Sequence, residues 1–300
     1  LSLHDALPIF RLNAPGKKNL HRSEKTALAI KYGAKGIIMV NHAPGKTLLT
    51  GTASVTGGLI SIPAVCISQD SGHHLREWLA DEAPLEAQIE MRNHAKVIQS
   101  RNVIATLKGK TDEKIVIGGH LDSWDLATGA IDNGIGAYAI LDIARTFNAL
   151  KIKPQKTIEF VLFMGEEQGL LGSKHYVQEA VKSGDIEKIS YMMNIDMTNN
   201  PKGLNAYGRK EMEGFFKEVG ALIKEVYPDY PNEFDNRAGL HSDHQPFMIE
   251  GVPVTAMMGR LEKEALNCYH ADCDDIKFIN KQQLENTVRI GSMYLFALAN

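Results

Sequence analysis

Residues 118–136 read GGHLDSWDLATGAIDNGIG, and this stretch decides the fold. The apolar run KIVIGG leads into it from Lys114, the pattern of a strand buried on both faces. That run ends on His120, and Asp132 in DNGIG stands at the start of a helix-like run from about Gly134 to Leu150. A buried strand, a polar loop and a helix make one turn of a wound α/β sheet.

The same alternation continues outward. Downstream come the strand TIEFVLFM, a helix near Leu171 to Lys182, the strand ISYMMNID, the strand-like GLNAYG and the helix-like EMEGFFKEVGALIKEVY. A Pro/Asn-rich loop through Pro231, the segment HSDHQPFMIEG, the strand VTAMM, a long loop to Asp275 and an amphipathic helix from Lys281 complete it. NVIATLKG precedes it upstream. Strands separated by helices of this length predict an α/β fold, a mainly parallel mixed sheet with helices on both faces. Ligands of such sheets sit beyond the carboxyl ends of the strands.

Nearer the start, SEKTALAIKYGA, KGIIMV, IPAVCIS and HHLREWL read as helix, strand, strand and helix, a small α/β piece. From Asp81 to Lys96 the pattern turns charged and loses its period. The expected organisation is an atypical start at 1–22, a small α/β segment at 23–94 and a large domain at 95–300. LSLHDALPIF fits neither a strand nor a capped helix, and it reads as a truncated or non-native start.

The chain has 300 residues, 44% of them hydrophobic and 23% charged, enough for a substantial core. A net charge of -3 with scattered Lys and Arg gives no footprint for nucleic acid. No apolar run approaches the roughly 18 residues of a membrane span. Three cysteines are too few for a disulfide scaffold. Cys268 and Cys273 flank His270, as one local disulfide or as two thiols.

His120, Asp132, Glu167, Asp196 and His270 each follow a strand or lie in the loop after one, where a ligand is expected. Two imidazoles with three carboxylates suit zinc. An aspartate bridging two ions is the usual device of two-metal hydrolases, and Asp132 suits it; the plainer alternative is a helix N-cap. Glu166 and Glu167 leave a strand in different directions, so one can bind metal while the other acts as general base on a metal-bound water. The plainer alternative is a pair of exposed glutamates favoured by a helix dipole. Asp122 is placed to take the second ring N–H of His120, and Asp274 to do the same for His270; either can instead cap a loop. Ser242 between His241 and His244 lacks a nucleophile elbow, so this segment reads as pocket lining. His73 and His74 read as surface histidines.

Together GGHLDSWD, GAIDNGIG, FMGEEQGLLGS, NIDM, HSDHQPF and YHADCDD resemble the co-catalytic zinc exopeptidases, the family of bacterial leucyl aminopeptidase and plasma glutamate carboxypeptidase. HLDSWD is most similar to the carboxypeptidase Q branch, and YGAKGIIMV with IPAVCIS resembles the protease-associated domain found in several exopeptidases. The resemblance implies two zinc ions per chain, one on His120 and Asp196, the other on Glu167 and His270, with Asp132 bridging and Glu166 as general base. It also implies a short peptide substrate, a secreted or periplasmic location and homodimerisation. The family pattern has Thr where this chain has Ala271 and Asp275, so hydrogen bonding around His270 is expected to differ. The family's opening helix and strands are not evident, so an exposed sheet edge is expected. The rival readings are a single-zinc enzyme similar to glutaminyl cyclase and a non-catalytic binding domain of the same fold.

Overall fold

Chain contacts in the computed structural model, which describes residues 20–81, 85–259 and 261–300, form two units. One comprises Leu1–Gln99 with Asn267–Cys273, the other Ser100–Leu266 with Asp274–Asn300. The opening LSLHDALPIF lies outside the described residues.

In the first unit, helix α1 (Arg22–Lys31) begins with a capping box: the His21 side chain accepts from Ser23 N–H, and Glu24 accepts from His21 N–H. Strands β1 (Ile37–Val40) and β2 (Ala64–Ile67) pair in parallel. Helix α2 (Gln69–Ala80), capped by Ser68, packs on β1 through Gly72, where a Cβ would lie 2.3 Å from the Val40 side chain. His73 and His74 are exposed on α2, as the sequence indicates. The segment 267–273 also belongs here, its ends joined by the Cys268–Cys273 disulfide. Leu49 bridges Ala271, and the Thr50 N–H donates to the His270 carbonyl at 2.8 Å.

The second unit runs β3 (Val103–Leu107), β4 (Lys114–His120), α3 (Ile135–Ala149), β5 (Thr157–Phe163), α4 (Leu171–Ser183), β6 (Ile189–Asn194) and β7 (Gly203–Asn205). It continues with α5 (Glu213–Val226), β8 (Glu233–Asp235), α6 (His244–Ile249), β9 (Val254–Met258), α7 (Lys263–Leu266) and α8 (Lys281–Ala299). The sheet order is β3-β5-β4-β6-β9-β7-β8. Its centre, β5-β4-β6-β9, is parallel; β3 and β7 run antiparallel to their inner neighbours.

Alternation along the strands assigns the two faces. Ile115 and Ile117 of β4 join the cluster of Ile140, Ile143, Phe216, Tyr294 and Leu295 from α3, α5 and α8. Val116, one residue out of phase, joins Phe163, Val177 and Phe247 on the face of α4 and α6. Helices therefore cover both faces, as the apolar strand runs require.

Three elements escaped the sequence reading, β8, α6 and the four-residue α7 within the expected long loop. β8 is three residues long, and α6 carries Pro246 in its first turn, where a missing N–H breaks no helical bond. No helix among the described residues is long and apolar enough to cross a membrane.

Candidate metal centre

Three neighbouring parallel strands, β5, β4 and β6, end together, and the loops beyond their carboxyl ends carry Glu166 and Glu167, His120 to Asp132, and Asp196. The loops approach closely because Gly119 has no side chain: a Cβ there would lie 2.2 Å from the Ile195 carbonyl oxygen. Asn133 ties the same loops together. Its Nδ2 donates to the Ile195 carbonyl at 2.9 Å, while its Oδ1 accepts from Gly136 N–H and Met197 N–H. Residues on either side of these ties, Asp132 and Asp196, are thereby aimed at His120.

His120 is almost fully buried, and its ring is oriented from behind: Nδ1 lies 2.9 Å from the Asp122 carbonyl oxygen, which can only accept. Nε2 faces Asp132 Oδ1 at 3.2 Å and Asp196 Oδ1 at 3.4 Å. Asp196 Oδ1 is buried without a hydrogen-bond partner, whereas Oδ2 accepts from Ser242 Oγ at 2.7 Å and Ser242 in turn accepts from Asn194 Nδ2 at 2.9 Å. With Nδ1 donating, neutral His120 presents a lone pair to two carboxylates. Three electron-pair donors cannot converge in a buried site without a proton or a cation between them.

The proton affinities follow. Burial pulls the His120 imidazole down, but Asp196 and Asp132 outweigh it and hold the ring well above its ordinary value. Here a proton takes the place that suits an ion. One imidazole nitrogen and two carboxylate oxygens are the donor set of a zinc site, and the ligand atoms of His120, Asp132 and Asp196 all lie within 4.8 Å of one another. A second grouping under the same limit joins His120 with Glu166 and Glu167.

Burial first, then Asp196, Asp243 and Glu167, against an opposing pull from His120, push the Glu166 carboxyl up to about 9. A dication beside it lowers that value, because it favours the charged form. Glu167 is buried, and its Oε2 accepts from Trp124 Nε1 at 2.7 Å. The Glu166–Glu167 turn is held by the Asp122 carboxylate, which accepts from Gly165, Glu166 and Glu167 N–H at 2.8, 3.1 and 3.2 Å.

Several sequence expectations change in detail. The Asp122 carboxylate does not take the His120 ring N–H; it is occupied by the glutamate turn, and the Asp122 main chain does that work instead. Asp132 is not a helix cap. It sits in an irregular turn at φ -116°, ψ 90°, and α3 begins after Gly134 with no side-chain cap. The Asp274 carboxylate accepts from Ile131 N–H at 2.7 Å and Asp132 N–H at 3.0 Å, so it supports Asp132. Ser242 is no nucleophile: its hydroxyl is spent on Asp196. His270 lies in the disulfide-closed segment of the first unit. Trp124, Asn133 and Asn194 were given no task from sequence. Asn133 was legible only as part of DNGIG, and Asn194 carried no signal.

The model of peptidase family M28 matches residues 102–295, and that of the PA domain matches residues 13–75. Mouse carboxypeptidase Q is 26% identical over 84% of this chain and 53% of its own length. Aminopeptidase YwaD of Bacillus subtilis is 27% identical over 87% of this chain and 56% of its own length. The chain thus spans about half the length of these relatives. The crystal structure of a peptidase M28 precursor from Shewanella amazonensis superposes with a TM-score of 0.77 at 29% identity, covering 93% of this chain and 63% of that one. With its wound sheet, its ligand-bearing loops and a family match over most of its length, the chain belongs to peptidase family M28.

Proposed function

We propose that the chain is a zinc-dependent exopeptidase that removes a terminal residue from short peptides. The observation that carries this reading is the convergence of His120 Nε2, Asp132 Oδ1 and Asp196 Oδ1 on one buried point beside a glutamate pair. His120 and Asp196 would hold one zinc, Glu167 and His270 a second, with Asp132 shared. The parts given to His270 and to a second ion rest on the sequence resemblance. Zinc there would supply Lewis acidity, polarising the scissile carbonyl and acidifying the attacking water.

The chain's own residues do the rest. Glu166, kept ionised where a cation lies beside it, would accept a proton from the attacking water and pass it to the leaving amine nitrogen. Asp122 acts through main chain and side chain together, fixing the His120 ring and the turn that presents Glu166. Trp124 holds Glu167 in one orientation. Export of the chain belongs to the same proposal, supported by the Cys268–Cys273 bridge, since such bonds persist in oxidising compartments.

A metal count tests the reading. Wild-type protein dialysed against zinc and then against buffer should retain two ions per chain, and Asp132→Ala should lose both. Retention of one ion by the wild type would favour the single-zinc cyclase reading, and retention of two by Asp132→Ala would remove the bridge.

A further inference from the structure

Asn194 is the last residue of β6, and both it and Ser242 are almost fully buried. The Asn194 main chain is paired with Gly118 on one side and Ala256 on the other, so its side chain leaves from a fixed point at the centre of the sheet. An amide nitrogen can only donate, so where Asn194 Nδ2 lies 2.9 Å from Ser242 Oγ the hydroxyl accepts. The one proton of Ser242 is then left for its other neighbour, Asp196 Oδ2, at 2.7 Å. The relay therefore runs one way, from sheet to amide to hydroxyl to carboxylate.

One oxygen of Asp196 is occupied by it and the other is not. Oδ1 is buried without a hydrogen-bond partner and faces His120 Nε2 at 3.4 Å, while Asp132 Oδ1 lies 3.2 Å from the same nitrogen. A carboxylate with both oxygens free can grip an ion through two atoms. One whose second oxygen holds a hydroxyl proton offers a single atom. With one atom each from His120, Asp132 and Asp196, the centre presents three ligands and room for a fourth, the number and kind that suit zinc. Manganese favours six ligands, most of them oxygen.

We propose that Ser242 and Asn194 set the metal preference of the centre: by occupying Oδ2 they keep Asp196 a one-oxygen ligand and so favour zinc over manganese. Both are positioning residues that act through Asp196. The inference deepens the metal-centre reading and rests on it, and it is independent of which peptide bond is cut.

The test is competition between zinc and manganese for the metal-free protein, read with a chelating indicator, in wild type, Ser242→Ala, Ser242→Thr and Asn194→Leu. Ser242→Ala should weaken zinc binding about 10–100-fold, the usual effect of removing a group that orients a ligand, and manganese binding by less. The preference for zinc over manganese should then shrink by on the order of 10-fold, because Oδ2 is released as a second donor. Asn194→Leu, which leaves the hydroxyl free to turn away, should do the same in smaller measure, and Ser242→Thr, which retains the hydroxyl, should keep the wild-type preference. Loaded with cobalt(II), the wild type should show the intense visible bands of a four-coordinate ion, and Ser242→Ala weaker bands as further atoms join the ion. A folded Ser242→Ala that keeps the wild-type preference, a loss equal for both metals, or weak cobalt bands already in the wild type would overturn the inference and leave the metal-centre reading standing. Should Ser242→Ala not fold, Asn194→Leu and the wild-type cobalt spectrum decide in the same way. If the folded wild type takes up no zinc, the metal-centre reading itself falls, and the inference with it.

Discussion

At the scale of the residue, the centre is a balance of proton against cation. In the metal-free protein His120 is held above its ordinary value, and Glu166 is pushed from 4.5 up to about 9. Each binds its proton more tightly folded than unfolded. The stabilisation each provides is therefore complete below its unfolded value and is lost as pH rises toward its folded one. The metal-free protein should weaken between pH 6 and pH 9, while zinc, relieved of competition from protons, binds more strongly over the same range. The gap in Tm between zinc-loaded and metal-free protein should accordingly widen from pH 6 to pH 9. A constant gap would mean that these two groups are not linked to the ion. For Glu166→Gln, both ions should remain and turnover should fall at least ~100-fold, within the usual range for a lost general base. Substantial residual turnover would place the base elsewhere.

At the scale of the element, the loops are accurate because the strands beneath them are rigid. Ile117 lies in the middle of β4, wholly buried and three residues before His120. Ile117→Ala should cost about 2–5 kcal/mol in chemical denaturation. A loss under 1 kcal/mol would mean that β4 is not the core strand described. Trp124→Phe removes the N–H that Glu167 accepts while preserving an aromatic ring. Its zinc affinity should fall about 10–100-fold, the usual effect of removing a group that orients a ligand, and unchanged affinity would make Trp124 a packing residue only. The outer strand β3 pairs with β5 on one side, and among the described residues its other side is open; Val103 and Ile104 are about half exposed. Such an edge recruits other chains, so Ile104→Lys should reduce self-association in sedimentation. Monomeric behaviour of the unmodified chain at high concentration would contradict that.

The same elements separate what the sequence carries from what it does not. Continuous apolar runs as short as KIVIGG and TIEFVLF, rich in β-branched residues, have the length and composition of strands buried on two faces, and they predicted the sheet. The three-residue β8 buries too little to leave a pattern, and Pro246 disguised α6. The residue types suited to binding a metal, and their order along the chain, were legible from chemistry, and the structure brings His120, Asp132 and Asp196 together. Their supports were not legible: that the Asp122 main chain orients His120, that Asn133 ties two loops, and that Asp274 holds Asp132 depend on which main-chain groups meet in space. The segment around His270 was similarly opaque, because its attachment to Leu49 and Thr50 joins residues more than 200 positions apart.

At the scale of the whole molecule, a small unit matching the PA domain and a larger one matching peptidase family M28 make up a chain that spans about half the length of the curated relatives it matches. The larger unit contains the sheet and His120, Asp132, Glu166, Glu167 and Asp196; the smaller contains His270. The proposed function is that of a zinc exopeptidase, with Glu166 of the larger unit as its general base. The measurement that tests it most directly is hydrolysis of a leucine tripeptide by zinc-loaded protein, followed by mass spectrometry, with Glu166→Gln alongside. Release of single residues from one end by the wild type, at a rate that collapses in Glu166→Gln while both ions stay bound, is the predicted result. A folded protein that carries its zinc and leaves the peptide intact, or that cuts it equally well as Glu166→Gln, would contradict the account.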